Sequence, residues 1–138
     1  MGRHAQDQDL VAIRNLVADA ERLQNDLEGY TQLLTQDMAI VNIMGRRVRG
    51  WDNIYAAYKQ ALQTPKADIH TRHELEDVRF LRPDVALASI IKHVSDDRDA
   101  SSQEPDSPLP SQARLTFVLV KEEDRWLIAS AQTTPIAS

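Results

Sequence analysis

The sequence contains no cysteine, so disulfides, thiolate metal sites, iron–sulfur clusters and thiol nucleophiles are excluded. Long hydrophobic runs are also missing, and none approaches the roughly 18 residues that a membrane-spanning helix needs. The first ten residues, MGRHAQDQDL, are polar and lack the apolar stretch of a secretory signal. These absences predict a cytoplasmic protein that neither crosses nor enters a membrane.

Basic residues are in the minority, with 16 Lys and Arg against 21 Asp and Glu and a net charge of −5. This balance argues against nucleic-acid binding, which relies on clustered basic residues that neutralise phosphates. The basic group Arg46, Arg47 and Arg49 is interpreted as a solvated hairpin. Hydrophobic residues make up 42% of the 138 residues, which is typical of one folded domain spanning residues 1–138.

Helical spacing of apolar residues dominates the N-terminal third of the chain. Two stripes begin near Leu10 and run as far as Leu34, and Asp26 is placed to cap a short second helix. A third helix is predicted in WDNIYAAYKQALQT, with Asp52 as its cap and Pro65 at its end. Between them, MAIVNIMG from Met38 alternates like a strand, and Gly45 permits a hairpin turn.

The second half of the chain reads as β-strands joined by polar turns. The predicted strands are DIHTRHELEDVRFL, VALASIIKHV, ARLTFVLVKEE and WLIASAQTT, and the segment from Asp96 to Gln112 is expected to be a long loop. Helices followed by antiparallel strands indicate an α+β fold. The last two strands are apolar on both faces, so we expect helices on one side of the sheet and a second subunit on the other, as a homodimer.

Three segments carry a resemblance to a known family: DLEGYTQLLTQDMAIVNIMGRRVRG, FLRPDVALASI, and RLTFVLVKEEDRWLIASAQTTPI. Together they resemble the nuclear-transport-factor-2-like superfamily, in its SnoaL-like and steroid-isomerase-like branch, and most nearly the small enediyne-cluster-associated proteins. The resemblance implies N-terminal helices packed in a strongly curved, mostly antiparallel sheet, a cone-shaped, cystatin-like α+β barrel with an apolar cavity. Function varies widely within this fold and must be argued from the site.

The resemblance also allows a test of the isomerase mechanism. It places the isomerases' carboxylate base at Asn42 and their tyrosine donor at Ala18. An amide cannot abstract a proton at neutral pH and a methyl group donates no hydrogen bond, so steroid isomerisation is not expected. Asn42 instead becomes a candidate ligand contact, and Met44 lies on the same strand face.

Strand alternation indicates further candidate site residues. Ser89, Ile91 and His93 share one face of their strand, and the resemblance puts Ser89 and Ile91 where epoxide-opening relatives keep an Arg and an Asp. His93 is therefore a candidate acid–base group, although a histidine exposed at a strand end is the more ordinary interpretation. Gln132 and Thr134 are predicted to share the face of Trp126, as polar contacts for a ligand.

His73 is a second candidate acid–base group, but His70 and His73 have opposite parity, so only one of them can face the cavity on a regular strand. A metal site built from His70, His73 and His93 is disfavoured for the same reason, and we expect neither a metal nor a cofactor. Tyr58, with Trp51 and Tyr55, could wall a cavity for a planar ligand, although such aromatics are more often plain core.

The sequence thus favours a dimeric protein that binds a small hydrophobic molecule, such as a polycyclic one. Two alternatives stay open. One is a cyclase, dehydratase, isomerase-like enzyme or cofactor-free oxygenase that uses a histidine in the cavity. The other is a dimeric protein-interaction module.

Overall fold

A computed structural model describes residues 3–98 and 110–137, with side chains from residue 6 onward. Three α-helices come early in the chain: α1 (Arg3–Arg22), α2 (Leu27–Thr31) and α3 (Trp51–Leu62). The described residues also form six strands: β1 (Leu34–Val41), β2 (Arg47–Arg49), β3 (Ile69–Arg82), β4 (Val85–Asp96), β5 (Gln112–Glu122) and β6 (Arg125–Pro135). A single turn of 3₁₀ helix, Pro65–Asp68, links α3 to β3. The predicted α+β order is confirmed.

The six strands form one mixed sheet in the order β2-β1-β6-β5-β4-β3. All neighbouring pairs are antiparallel except β1 and β6, which run parallel. The sheet does not close on itself, because β2 and β3 each have one strand neighbour. The predicted mostly antiparallel sheet is confirmed. The sheet is an open one and does not form the closed barrel of the prediction.

Helices cover one face of this sheet. Helix α1 lies against β3 and β6, and α3 lies against β1 and β2. Their apolar sides meet the inward side chains of the strands in one continuous core, which includes Ile13, Met38, Ile54, Phe117 and Ile128. Burying each large apolar side chain contributes about 1.5–3 kcal/mol, so this layer is the main source of stability.

The predicted ends of the helices agree with the structure in one case and differ from it in others. Asp26 caps α2 as predicted, since its carboxylate accepts a hydrogen bond of 3.0 Å from the Gly29 N–H. Helix α3 instead begins after Gly50, whose φ of 87° suits glycine, and Asp52 lies in its first turn without capping it. Strand β1 begins at Leu34, four residues before its predicted start at Met38. The helical spacing of apolar residues, which the sequence shows as far as Leu34, therefore runs into the first residue of this strand.

Most of the loop predicted from Asp96 to Gln112 lies outside the described residues. The residues at its two ends are described. At the first end, β4 continues to Asp96, which binds Arg98 at 2.8 Å, and at the second end β5 begins at Gln112. Among the residues that the structure describes, no helix is both long enough and apolar enough to cross a membrane.

Candidate functional site

A cavity of about 520 Å³ opens between the helices and the inner face of the sheet, near the end that holds the C-terminus of α1. Its apolar wall includes Ile40, Leu62, Ile69, Val94, Leu115 and Phe117. Its polar wall includes Tyr30, Asn42, Tyr58, His73, Lys92 and Thr133. This volume and mixture are typical of sites for small molecules, which lie mostly between 300 and 1,000 Å³.

Two stacked tyrosines form one side of the cavity. The rings of Tyr30, on α2, and Tyr58, on α3, lie 5.0 Å apart at an interplanar angle of 16°. Burial raises the pKa of Tyr30 to about 12. Burial, with the nearby Tyr30 and Asp26, also raises the pKa of Tyr58. Both phenols therefore keep their protons at neutral pH and can donate hydrogen bonds.

His73 reaches the cavity from β3. Helix α1 fixes this part of β3, which is an edge strand, through side chains near its C-terminal end. A Glu21 carboxylate oxygen accepts the His73 N–H at 2.6 Å, and Gln24 exchanges two 2.8 Å hydrogen bonds with the backbone of Thr71. These side chains bind the free edge of β3 at Thr71 and His73, and they fix the position of His73.

The imidazole of His73 has a defined hydrogen-bond pattern. Its Nδ1 lies 3.3 Å from the carbonyl oxygen of Val17, which can only accept, so Nδ1 carries the proton and Nε2 is left as an acceptor. Burial lowers the pKa of His73; the Val17 carbonyl opposes this effect, Lys92 adds to it, and Glu21 opposes it. The ring also meets Phe117 edge-on at 6.2 Å. His73 is therefore suited to accept a proton near neutral pH.

Lys92 lies directly across from His73, because the two are partners in the register of β3 and β4. Its side chain is half-buried and lines the cavity. Burial lowers the pKa of its ammonium group. Sequence reasoning missed this residue, although a lysine between Ile90 and Val94 in an apolar strand was a visible signal.

Asn42 lies in the cavity wall, but its side-chain oxygen already makes hydrogen bonds within the protein. Its side-chain oxygen accepts hydrogen bonds from the N–H groups of Met44, at 3.0 Å, and Arg46, at 2.9 Å. These bonds hold the turn between β1 and β2. Asn42 is exposed, and Met44, which is 77% exposed, lies at the rim of the cavity.

Four of the eight candidate residues therefore line the cavity: Asn42, Met44, Tyr58 and His73. The other four, Ser89, His93, Gln132 and Thr134, do not. On β4 the inward residues are Ile90, Lys92 and Val94, so the predicted parity was reversed. His93 instead binds Glu74 at 2.8 Å on the opposite face of the sheet, with Gln112 at 3.4 Å.

The error on β6 has a specific structural cause. Trp126 and Ile128 are buried in the core, but the pairing with β5 shifts between Val118 and Leu119, which leaves Ala129 as an extra residue on β6. A bulge of one residue exchanges the two faces of a strand from that point on. Thr133 consequently lines the cavity, and Gln132 and Thr134 face the other way.

The structure also places the two histidines of β3, the aromatic residues of α3, and Ala18. Of the two histidines on β3, His73 faces the cavity and His70 is exposed, and no metal-binding cluster occurs among the described residues. Trp51 and Tyr55 stack on each other outside the cavity wall, and Trp51 donates to the Thr31 carbonyl at 2.7 Å. Ala18, where the resemblance puts the isomerases' tyrosine, is exposed on α1, so its identity says nothing about the cavity.

The family profile of the SnoaL-like domain matches residues 12–137, nearly the whole chain. The chain belongs to the SnoaL-like domain family. The narrower likeness to enediyne-cluster-associated proteins stays a prediction, and no curated protein matches the sequence of this SnoaL-like domain.

Several solved structures share the fold of this SnoaL-like domain. An uncharacterised cystatin-like protein from Caulobacter vibrioides is 26% identical, with a TM-score of 0.79 over 93% of this chain and 89% of that one. A proposed scytalone dehydratase from Novosphingobium aromaticivorans is 12% identical, with a TM-score of 0.80 over 99% and 89%. A ketosteroid isomerase-like protein from Erwinia carotovora is 16% identical, with a TM-score of 0.69 over 94% and 98%. The last two likenesses show the fold alone.

Proposed function

We propose that this SnoaL-like domain binds a small hydrophobic molecule, such as a polycyclic one, in the cavity between its helices and its sheet. The observation that carries the proposal is the cavity itself, which has an apolar floor of strand side chains and a wall of two stacked tyrosines. Flat aromatic ligands pack favourably against such rings, and a few fixed donors can orient them.

The test uses N-phenyl-1-naphthylamine, an uncharged dye that fluoresces in apolar sites. We expect saturable binding by the unmodified protein. Ala61 lines the cavity from α3, so Ala61→Phe should fill part of the space and weaken binding by about tenfold or more, in proportion to the lost apolar contact.

The matched control is Ala56→Phe, which adds the same ring to an exposed position of the same helix. It should bind the dye like the unmodified protein. Equal binding by both variants, or no binding by the unmodified protein, contradicts the proposal. Absence of binding would favour the interaction-module alternative.

A second candidate function is an enzyme that uses His73 as its acid–base group, in the manner of a dehydratase or cyclase. The specific observation in its favour is the hydrogen bond from Nδ1 to the Val17 carbonyl, which leaves Nε2 as an acceptor. Tyr30 and Tyr58 would supply protonated donors for a substrate carbonyl. Asn42 stands where the isomerases have their base, so steroid isomerisation is still not expected.

A further inference from the structure

The charged side chains of the cavity are all of one sign among the residues that the structure describes. Lys66, Lys92 and Arg98 line it, and no aspartate or glutamate does. This is unexpected in a chain whose net charge is −5. Arg98 is engaged by Asp96, with two bonds of 2.8 Å, so its charge is already compensated.

Lys92 differs from the other two cations because it lies deepest in the sheet. It projects from the middle of β4, paired with His73 on one side and with Ala113 on the other. Neither neighbour carries a negative charge, and Ala113 leaves space beside the lysine stem. The carboxylate of Glu21 is engaged by the backbone N–H of His73.

Within the described part of the chain, no ion pair or hydrogen bond involves the ammonium group of Lys92. Burial is the cause of its lowered pKa, and no acidic side chain counteracts this. Partial burial of a lysine without an acidic partner carries a desolvation cost, and such a residue in a cleft is a candidate for contact with a ligand. An anion beside it would recover part of that cost as a charge-assisted hydrogen bond.

We infer that the cavity takes a hydrophobic anion, whose carboxylate or equivalent oxygens contact Lys92 while its apolar body lies against Tyr30, Tyr58 and Phe117. The inference rests on the proposed ligand-binding function and narrows its chemical class. The tyrosine hydroxyls are protonated and can donate further hydrogen bonds to the same anion or to a second polar group of the ligand. Chemically, aromatic or polycyclic acids and stable enolates fit this description.

The experiment compares two probes that share one apolar body. 2-Naphthoate carries a carboxylate and 2-naphthamide carries a neutral amide of nearly the same shape, and each is titrated as a competitor of bound N-phenyl-1-naphthylamine. We expect the unmodified protein to prefer 2-naphthoate by roughly 10- to 100-fold, the range of a hydrogen bond to a charged group.

Lys92→Met removes the charge and keeps an unbranched side chain that is one heavy atom shorter. It should abolish the preference for 2-naphthoate over 2-naphthamide, because the charge that distinguishes the two probes no longer has a partner. Lys92→Arg should keep the preference. Lys59→Met, at an exposed position on α3, is the matched control and should change neither affinity.

The outcomes separate the two proposals. Dye binding with equal affinity for both naphthalene probes overturns the anion inference and leaves the ligand-binding proposal standing. A preference that survives in Lys92→Met also overturns it. Failure of dye and probes to bind overturns both. The comparison of the two probes on the unmodified protein decides the question even if a variant does not fold.

Discussion

At the scale of single residues, the cavity is organised around the facing pair His73 and Lys92. Both are desolvated, and burial acts on them in the same direction because it disfavours the charged form of each. The charge of Lys92 also lowers the pKa of His73. The result is a neutral imidazole beside an ammonium, with an acceptor nitrogen and a donor on adjacent strands. This pair is suited to hold an anion or to remove a proton next to a carbonyl.

The pair leads to a prediction about proton transfer, which tests the enzymatic candidate. The protein should accelerate hydrogen–deuterium exchange at the carbon next to the carbonyl of 2-tetralone, by roughly 100-fold or more over free imidazole, as general bases commonly do. NMR spectroscopy in D₂O measures this rate. His73→Gln should lose the acceleration, and His70→Gln, at an exposed position on the same strand, should keep it.

The pH dependence of this exchange follows from the sign of the shift. Because the pKa of His73 is lowered, its neutral, proton-accepting form persists below the ordinary histidine value of 6.5. The acceleration should therefore be fully present above pH 6.5 and disappear only as the pH falls through the lowered pKa. No acceleration by the unmodified protein, or equal loss in both variants, would rule out His73 as a base.

At the scale of secondary-structure elements, α1 is attached to the sheet at both of its ends. Near its C-terminus, Glu21 and Gln24 bind the edge of β3. Nearer its N-terminus, one Asp9 carboxylate oxygen accepts hydrogen bonds from Lys121 Nζ at 2.9 Å and from Trp126 Nε1 at 3.0 Å. Burial alone would raise the pKa of Asp9, but the bonds from Trp126 and Lys121 lower it overall. The helix is thus fixed over the core by polar contacts at two separate places.

We predict that Asp9→Ala lowers the free energy of unfolding by about 1–3 kcal/mol, because the Trp126 N–H and the Lys121 ammonium lose their partner. Urea denaturation followed by circular dichroism measures this. Asp7→Ala, at an exposed position of the same helix, is the control and should change stability by less than about 0.5 kcal/mol.

The lowered pKa of Asp9 also sets a pH window. Its contribution is fully present above the ordinary aspartate pKa of 3.8 and is lost as the pH falls through the lowered value. The difference between the unmodified protein and Asp9→Ala should therefore shrink only in strong acid. A difference that vanished near neutral pH would show that the hydrogen bonds to Asp9 do not stabilise the fold.

At the scale of the whole molecule, helices cover one face of the sheet, and no other described residue covers the opposite, open face. The open face carries Leu87 on β4, Val118 on β5 and Leu127 on β6, each partly exposed. Leu87 and Val118 are register partners, so their apolar side chains lie next to each other on this face. A face of this kind on a small protein favours association with a second copy.

We predict that the protein is a homodimer through this face, with on the order of 1,200 Å² or more of buried surface. Light scattering at micromolar concentration should give twice the mass of one chain. Val118→Arg should shift the protein to a monomer, because a two-fold interface would then contain two unpaired charges.

The control for the dimer is Val11→Arg, which places the same charge on α1 at a valine that is 56% exposed. This variant should keep the dimer mass. A monomer mass for the unmodified protein would contradict the prediction, as would dissociation of both variants to the same extent.

The sequence by itself determined the order and type of the elements, because helical and strand periodicities are local properties of the chain. Asp26 could be recognised as a helix cap, and the four C-terminal strands were placed within a few residues of their ends. The family resemblance, carried by the same segments, is confirmed by the match over residues 12–137.

Only the tertiary structure decided which faces of the strands line the cavity. Strand β4 is apolar on both faces, so alternation could not tell that Lys92 points inward and His93 outward. On β6 the bulge at Ala129 reverses the faces beyond it, and a single extra residue leaves no mark in the composition of the strand. Parity is a property of pairing, and pairing is set by neighbouring strands and by the helices packed on one side. That is why Lys92 and Thr133, rather than His93 and Gln132, became part of the candidate site.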